Sequence, residues 1–375
     1  MSWISAEFLN SFGFLHLEPG MIFMWIVAFV LMYLAIARQF EPLLLLPIGF
    51  GILLANLPFT GLMEPHEGLL WRFYHYGIQW EIVPPLIFLG LGALTDFGPM
   101  LSRPSLIFLG AGAQAGVYVT FFAAHSMGFD LREAATIGII GGADGPTSIF
   151  LASQLAPHLL GPIAVAAYSY MSLVPIIQPP ILRILTTRKE REVDMPQAIP
   201  VSRTAVILFP ILTGILASLA IPSSAPLIGM LMFGNLLRES GVTERLRKTA
   251  GGALLDIVTI FLGIAVGATM EAGHFLSIRT IYILFLGAVA FSFSTAGGII
   301  LAKIMNLFLS GGKKINPCIG AAGVSAVPMA ARVVQQFVSE KTERRVNPLM
   351  PAMGPNVAGV IGSAIAAGVF LTFLK

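Results

Sequence analysis

Twelve apolar segments punctuate the chain, at roughly 21–37, 42–58, 81–95, 105–127, 134–153, 161–185, 203–221, 224–237, 249–270, 280–309, 316–331 and 347–373. Most reach the roughly 20 residues that a membrane-spanning helix needs. In lipid every backbone N–H and C=O must find a partner within the protein, which a helix supplies from its own turns. The pattern therefore predicts an all-α polytopic membrane protein. Composition agrees, because only 11% of the 375 residues are charged, against about 25% in soluble domains. Met1–Leu17 has no basic n-region and no small-residue cleavage site, so it does not read as a cleaved signal. Trp3, Phe8, Phe12 and Phe14 predict instead a short interfacial helix within residues 1–20. The single cysteine, Cys318, excludes an internal disulfide and a cysteine-based metal cluster. The net charge of +3 comes from loop lysines and arginines and carries no nucleic-acid signal.

Two segments, 134–153 and 316–331, are short, rich in glycine and carry their polar residues in mid-stretch. In the first, Asp144 is the only ionisable residue between Ala134 and Leu151, with Gly141-Gly142 before it and Gly145-Pro146 after. Glycine frees the backbone and proline removes a donor, so a regular helix breaks there. The break leaves carbonyl oxygens beside a carboxylate and the hydroxyls of Thr147 and Ser148, hard ligands suited to Na⁺ or a proton relay. A plain turn is the bland alternative, and the surrounding hydrophobicity weighs against it. Both segments read as re-entrant hairpins or discontinuous helices.

Counting basic residues tests the topology. The linker 186–202, with Arg188, Lys189 and Arg191, is placed in the cytoplasm. If both hairpins return to their own side, 18 of the 22 lysines and arginines face inward. If both cross, 15 do. The re-entrant model gives about ten transmembrane helices plus two re-entrant hairpins. The halves also echo each other. Ile87-Phe88-Leu89-Gly90 matches Ile260-Phe261-Leu262-Gly263, and Gly142 through Thr147 matches Gly320 through Ser325. A third match, first in chain order, runs from Pro47 through Leu54 to Pro226 through Leu237. Five crossings per copy predict two inverted repeats, the pattern of secondary transporters, at 21–185 and 203–375.

The second hairpin offers Asn316, Gly320 and Ser325, the last aligned with Thr147. Asp144 aligns with Ala322, so the pseudo-symmetric site holds one carboxylate, which suits a monovalent cation better than Ca²⁺ or Mg²⁺. Tyr170 lies near mid-span as a ligand or proton donor, with packing as the commoner role of such a tyrosine. Gly354-Pro355-Asn356 reads as a third break, with Asn356 either a ligand or a helix-packing residue. Arg332 stands among apolar neighbours, where a guanidinium can hold a carboxylate in two hydrogen bonds. Asp256 is an intramembrane carboxylate without a break around it. No Walker A, Rossmann or hydrolase motif is present.

Gly141–Thr147, Asn316–Ser325 and Gly354–Gly359 together resemble the β subunits of sodium-pumping biotin-dependent decarboxylases, over essentially the whole chain. The resemblance implies a membrane subunit that decarboxylates carboxybiotin, pumps Na⁺ outward and consumes a proton. It implies Asp144 and Asn316 as the sodium site, with Ser325 and Tyr170 as ion or proton-path positions. It also implies Gly320 as a sensitive glycine and Arg332 as the carboxybiotin arginine. As partners it implies a soluble carboxyltransferase (α) subunit, a biotin carrier protein and a small membrane-anchor (γ/δ) subunit. It further implies an elevator-transporter-like homotrimer in the bacterial cytoplasmic (inner) membrane. Two other readings remain: an ion-coupled carboxylate symporter or Na⁺/H⁺ antiporter without an enzymatic step, and a structural anchor.

Overall fold

The computed structural model describes residues 12–195, 200–275, 277–309 and 314–375. The expected interfacial helix of residues 1–20 falls largely outside them. Among the described residues there is no strand. The principal helices are α1 (Pro19–Arg38), α2 (Pro42–Ala55), α3 (Val83–Leu94), α4 (Ile107–Ala113), α5 (Ala115–Ser126), α6 (Leu131–Gly138), α7 (Gly145–Leu155) and α8 (Leu160–Ser172). After them come α9 (Val174–Leu185), α10 (Arg203–Ala220), α11 (Ala225–Glu239), α12 (Leu255–Ala268), α13 (Ile278–Phe308), α14 (Met329–Lys341) and α15 (Leu349–Leu374).

Six helices are long and apolar enough to cross a membrane, or up to eight when two bent pairs are counted as single spans. The expected span at 161–185 is one of these pairs, bent by 63° between α8 and α9, where Pro175 follows the junction. The other bends by 64° ahead of α3. The molecule is a polytopic helical membrane protein.

Glycines set the closest helix crossings. A Cβ on Gly51 of α2 would lie 2.4 Å from Ile264 O of α12, and one on Gly92 of α3 would lie 2.0 Å from Leu231 O of α11. These two pairs, α2 with α12 and α3 with α11, are the most extensive packings in the molecule. The outside is apolar, as lipid requires: Leu212, Ile215, Leu216 and Leu219 of α10 are all exposed.

The two interrupted segments lie at the centre. Residues 133–153 are buried without exception, and so are 315–326. Helices α4, α5, α13 and α15 surround them. Asp130 opens α6 with a capping box shared with Glu133. Glu133 is buried and receives Arg279 at 2.7 Å and His158 at 2.9 Å, tying both arms of the first segment to the head of α13.

Candidate functional site

The first segment breaks where the glycines stand. Helix α6 ends at Gly138, a 3₁₀ turn covers Ile139–Gly142, Ala143 adopts a left-handed φ of 53°, and α7 begins at Gly145. Asp144 is the N-cap of α7, its carboxylate accepting the Thr147 N–H at 3.1 Å. Pro146 falls in the first turn, where its missing donor leaves nothing unsatisfied. Ser363 of α15 places its hydroxyl 2.6 Å from Asp144 Oδ2 and 3.0 Å from Val360 O. It has one proton and can donate to only one of them at a time. The Thr147 and Ser325 hydroxyls also lie near this carboxyl, the first without a hydrogen-bond partner among the described residues and the second turned to Gly142 O.

The second segment breaks differently. A 3₁₀ helix runs over Pro317–Gly323, Val324 leaves it in an extended conformation, and a turn at 327–328 leads to α14. Ser325 joins the two breaks, donating both its N–H (2.9 Å) and its hydroxyl (3.0 Å) to Gly142 O. Asn356 holds the second break open, donating to Ala322 O at 3.0 Å and Val324 O at 2.7 Å. Gln178 of α9 adds a bond to Ala321 O at 2.8 Å.

Asp144, Thr147, Ser325 and Asn356 are thus assembled around the two breaks. The expected third break is not one: α15 runs through Pro355 without interruption. A membrane helix tolerates an internal proline where neighbours re-satisfy the backbone. Here Asn356 turns its amide toward the second segment instead of opening its own helix.

Other expected residues lie elsewhere. Asn316 is fully buried, but its Nδ2 donates to Arg191 O and Val193 O and its Oδ1 accepts the Cys318 N–H, none of these bonds reaching Asp144. Tyr170 donates to Leu284 O, and its ring covers Gly287 of α13. Gly320 crosses Gly298 of α13 so closely that a Cβ on it would lie 2.1 Å from Gly298 O. Arg332 is exposed and lines a cleft of about 650 Å³ with Gln335, Gln336, Ser339, Glu340 and Arg344. Asp256 is exposed on α12.

Sequence reasoning passed over Ser363 and Tyr168. The Tyr168 ring lies against Gly145, where a Cβ would come within 2.1 Å of it, and its hydroxyl is buried without a hydrogen-bond partner among the described residues. The oxygens Thr147 Oγ1, Asn356 Oδ1 and Gln114 Oε1 are likewise buried and unpartnered. Asp144 has no basic partner among the described residues. A buried carboxylate with neutral oxygens and no lysine, arginine or histidine matches a hard monovalent cation.

The model of the Na⁺-transporting oxaloacetate decarboxylase beta subunit family matches residues 20–374. The chain is 57% identical to the methylmalonyl-CoA decarboxylase subunit beta of Veillonella parvula, over 98% of this chain and 96% of that one. It is 56% identical to its namesake in Propionigenium modestum, over 98% of each. It is 54% identical to the glutaconyl-CoA decarboxylase subunit beta of Acidaminococcus fermentans, over 96% of this chain and 95% of that one.

Proposed function

The chain belongs to the family of Na⁺-transporting decarboxylase beta subunits, and on that premise we propose that it couples decarboxylation of carboxybiotin to outward Na⁺ pumping. The observation that carries the reading is Asp144, a carboxylate buried at a broken helix with no cationic side chain among the described residues to neutralise it. Leaving such a charge unpaired is expensive, so a cation or a proton must accompany it.

Na⁺ is the cargo. Asp144 supplies the charge, and Thr147, Ser325 and Ser363 supply neutral oxygens. Ser363 has two settings. With its proton toward Asp144 it stabilises the empty carboxylate. With its proton toward Val360 O it presents lone pairs to an ion. A proton arriving from outside displaces Na⁺ by neutralising Asp144. Tyr170, beside Gly287 and Ile140, takes part as a proton-path residue.

Carboxybiotin brings the driving reaction. Its C–N bond breaks, CO₂ leaves, the electron pair stays on nitrogen, and a proton is taken up there. Arg332 meets the carboxylate in the exposed cleft on α14, where it makes no ion pair among the described residues. Asn316 and Gly320 act as positioning residues, seating the second segment on the linker and on α13. Pumping one charge opposes about 2.3 kcal/mol per 100 mV, within reach of a favourable bond-breaking step.

The two-repeat architecture with elevator-like movement belongs to this reading. Matching α2 to α11 and α3 to α12 turns the α2–α12 packing into the α3–α11 packing, which supports an internal two-fold relation. The partners are a soluble carboxyltransferase, a biotin carrier and a small membrane anchor. The assembly is a homotrimer of this chain in the bacterial inner membrane. The relatives favour an acyl-CoA as the carboxyl donor of the complex.

The test uses the purified complex in proteoliposomes, given methylmalonyl-CoA or glutaconyl-CoA. CO₂ release accompanied by ²²Na⁺ uptake is expected, and Asp144→Asn is expected to abolish both. Ion flux without CO₂ release would replace the pump by a symporter. Both activities intact in Asp144→Asn would leave only a membrane anchor.

A further inference from the structure

Gln114 stands between α4 and α5, 6% exposed, and nothing in its sequence neighbourhood marks it. Its Nε2 donates to Gly359 O of α15 at 3.4 Å. Its Oε1 is buried and has no hydrogen-bond partner among the described residues. Exchanging the two amide atoms would set an acceptor against an acceptor at Gly359 O, so the oxygen is the atom left over.

That oxygen looks onto the first break. A Cβ built on Gly142 would meet only two groups within 4 Å: Ser363 Cβ at 3.1 Å and Gln114 Oε1 at 3.6 Å. The absent side chain of Gly142 leaves a space bounded by the amide oxygen and by the serine whose hydroxyl touches Asp144. Gln114 also lines a pocket of about 400 Å³ between α4, α10 and α15, whose other walls include Tyr118, Phe209, Ile361 and Gly362. The amide thus borders both the Gly142 position and an otherwise largely apolar pocket. Buried amide oxygens are seldom left without a partner. This one is buried with no donor among the described residues, and it shares the space at Gly142 with the serine that bonds Asp144.

We propose that Gln114 is a further ion-site residue, its Oε1 offering a neutral oxygen to the cation held at Asp144, and that it sets the preference for Na⁺ over Li⁺ and K⁺. The proposal rests on the Asp144 reading above and adds to it a residue from the first half of the chain. One carboxylate with hydroxyls alone would discriminate poorly among alkali ions. An amide oxygen held from behind by Gly359 fixes one wall of the space, and the ion's size then matters. The Gly142 position is the complement: a methyl there would fill the space that the oxygen faces.

The test is equilibrium ²²Na⁺ binding to the purified complex, with Li⁺ and K⁺ as competitors. Gln114→Met keeps the length and removes the oxygen. It is expected to weaken ²²Na⁺ binding by about tenfold, the scale seen when a supporting group of a metal site is lost. It should also narrow the separation between Na⁺ and its competitors. Gln114→Glu keeps an oxygen but loses the N–H that Gly359 O holds, so it is expected to bind ²²Na⁺ more tightly than Gln114→Met while separating Na⁺ from Li⁺ and K⁺ less well than the native chain. Gly142→Ala is the independent variant should Gln114→Met fail to fold, and it is expected to weaken binding in the same direction. Native affinity and native ion preference in either Gln114→Met or Gly142→Ala would overturn the proposal, leaving the amide oxygen to an ordered water. Asp144→Asn separates the two readings. Loss of binding there with no effect at Gln114 refutes only this inference, whereas unchanged binding in Asp144→Asn refutes the ion site itself.

Discussion

At the scale of the residue, the site turns on how a buried carboxylate is kept company. Ser363 is its nearest side-chain partner, at 2.6 Å. Ser363→Ala removes an oxygen from the ion-bound setting, about tenfold in affinity for a supporting group of a metal site, offset in part by the lost bond to the ion-free carboxylate, so the half-saturating Na⁺ concentration of decarboxylation should rise severalfold. An unchanged Na⁺ dependence would remove Ser363 from the ion site. Tyr170→Phe separates two roles for that hydroxyl. Losing its bond to Leu284 O should lower stability by about 1 kcal/mol whatever the mechanism. Only a proton-path role would also shift the pH profile of turnover, and that shift is expected. Asp144, Thr147 and Ser325 are legible in the sequence because glycine and proline announce a break locally. Ser363 and Gln114 are not, because each is an ordinary polar residue in an unremarkable helical stretch. Only tertiary packing turns them toward Gly142.

At the scale of the element, close backbone approach decides what can change. Gly298 and Gly320 each stand where a Cβ would lie within 2.0–2.1 Å of the other's carbonyl oxygen. Overpacking a core ordinarily costs about 1–3 kcal/mol; because the clash here is with backbone, Gly320→Ala should reach or exceed that range in thermal unfolding of the solubilised complex. An unchanged melting temperature would contradict the crossing. The resemblance implies a sensitive glycine at Gly320, and the crossing with Gly298 would give such sensitivity a packing cause. Asn316 shows where local reading stops. Its amide seals the linker, a long-range contact that no spacing in the sequence discloses. Asn316→Asp turns a double donor into an acceptor facing two carbonyls, so the linker 188–195 should exchange its amide hydrogens faster. The linker helix Arg188–Arg191 also carries a pH signature. Partial burial pushes the Glu190 carboxyl up, but the Thr187 capping box and Lys303 outweigh it and hold the group below its usual range. A carboxyl lowered on folding contributes stability above its unfolded value and loses it as the pH falls through the folded one. Faster linker exchange is therefore expected only below about pH 4.3.

At the scale of the molecule, hydrophobic segmentation discloses the class at once, because lipid allows a chain so few architectures. The span count is less readable. Several apolar runs fold as bent pairs or short helices, and run length does not reveal a 63° bend. The two central segments, by contrast, stand out from the order of residues alone, since glycine-rich polar interruptions are tolerated in a membrane only where protein encloses them. Their buried cores, residues 133–153 and 315–326, are enclosed completely. Their meeting point, Ser325 on Gly142 O beside Asp144, is where the whole account is most exposed to refutation. The direct measurement is a pair of high-resolution maps of the complex, one prepared in Na⁺ and one in choline. The account predicts a difference peak at coordination distance from the Asp144 carboxylate, bordered by Thr147, Ser325 and Ser363. Identical maps at Asp144, with a Na⁺-dependent peak at some other group, would contradict it.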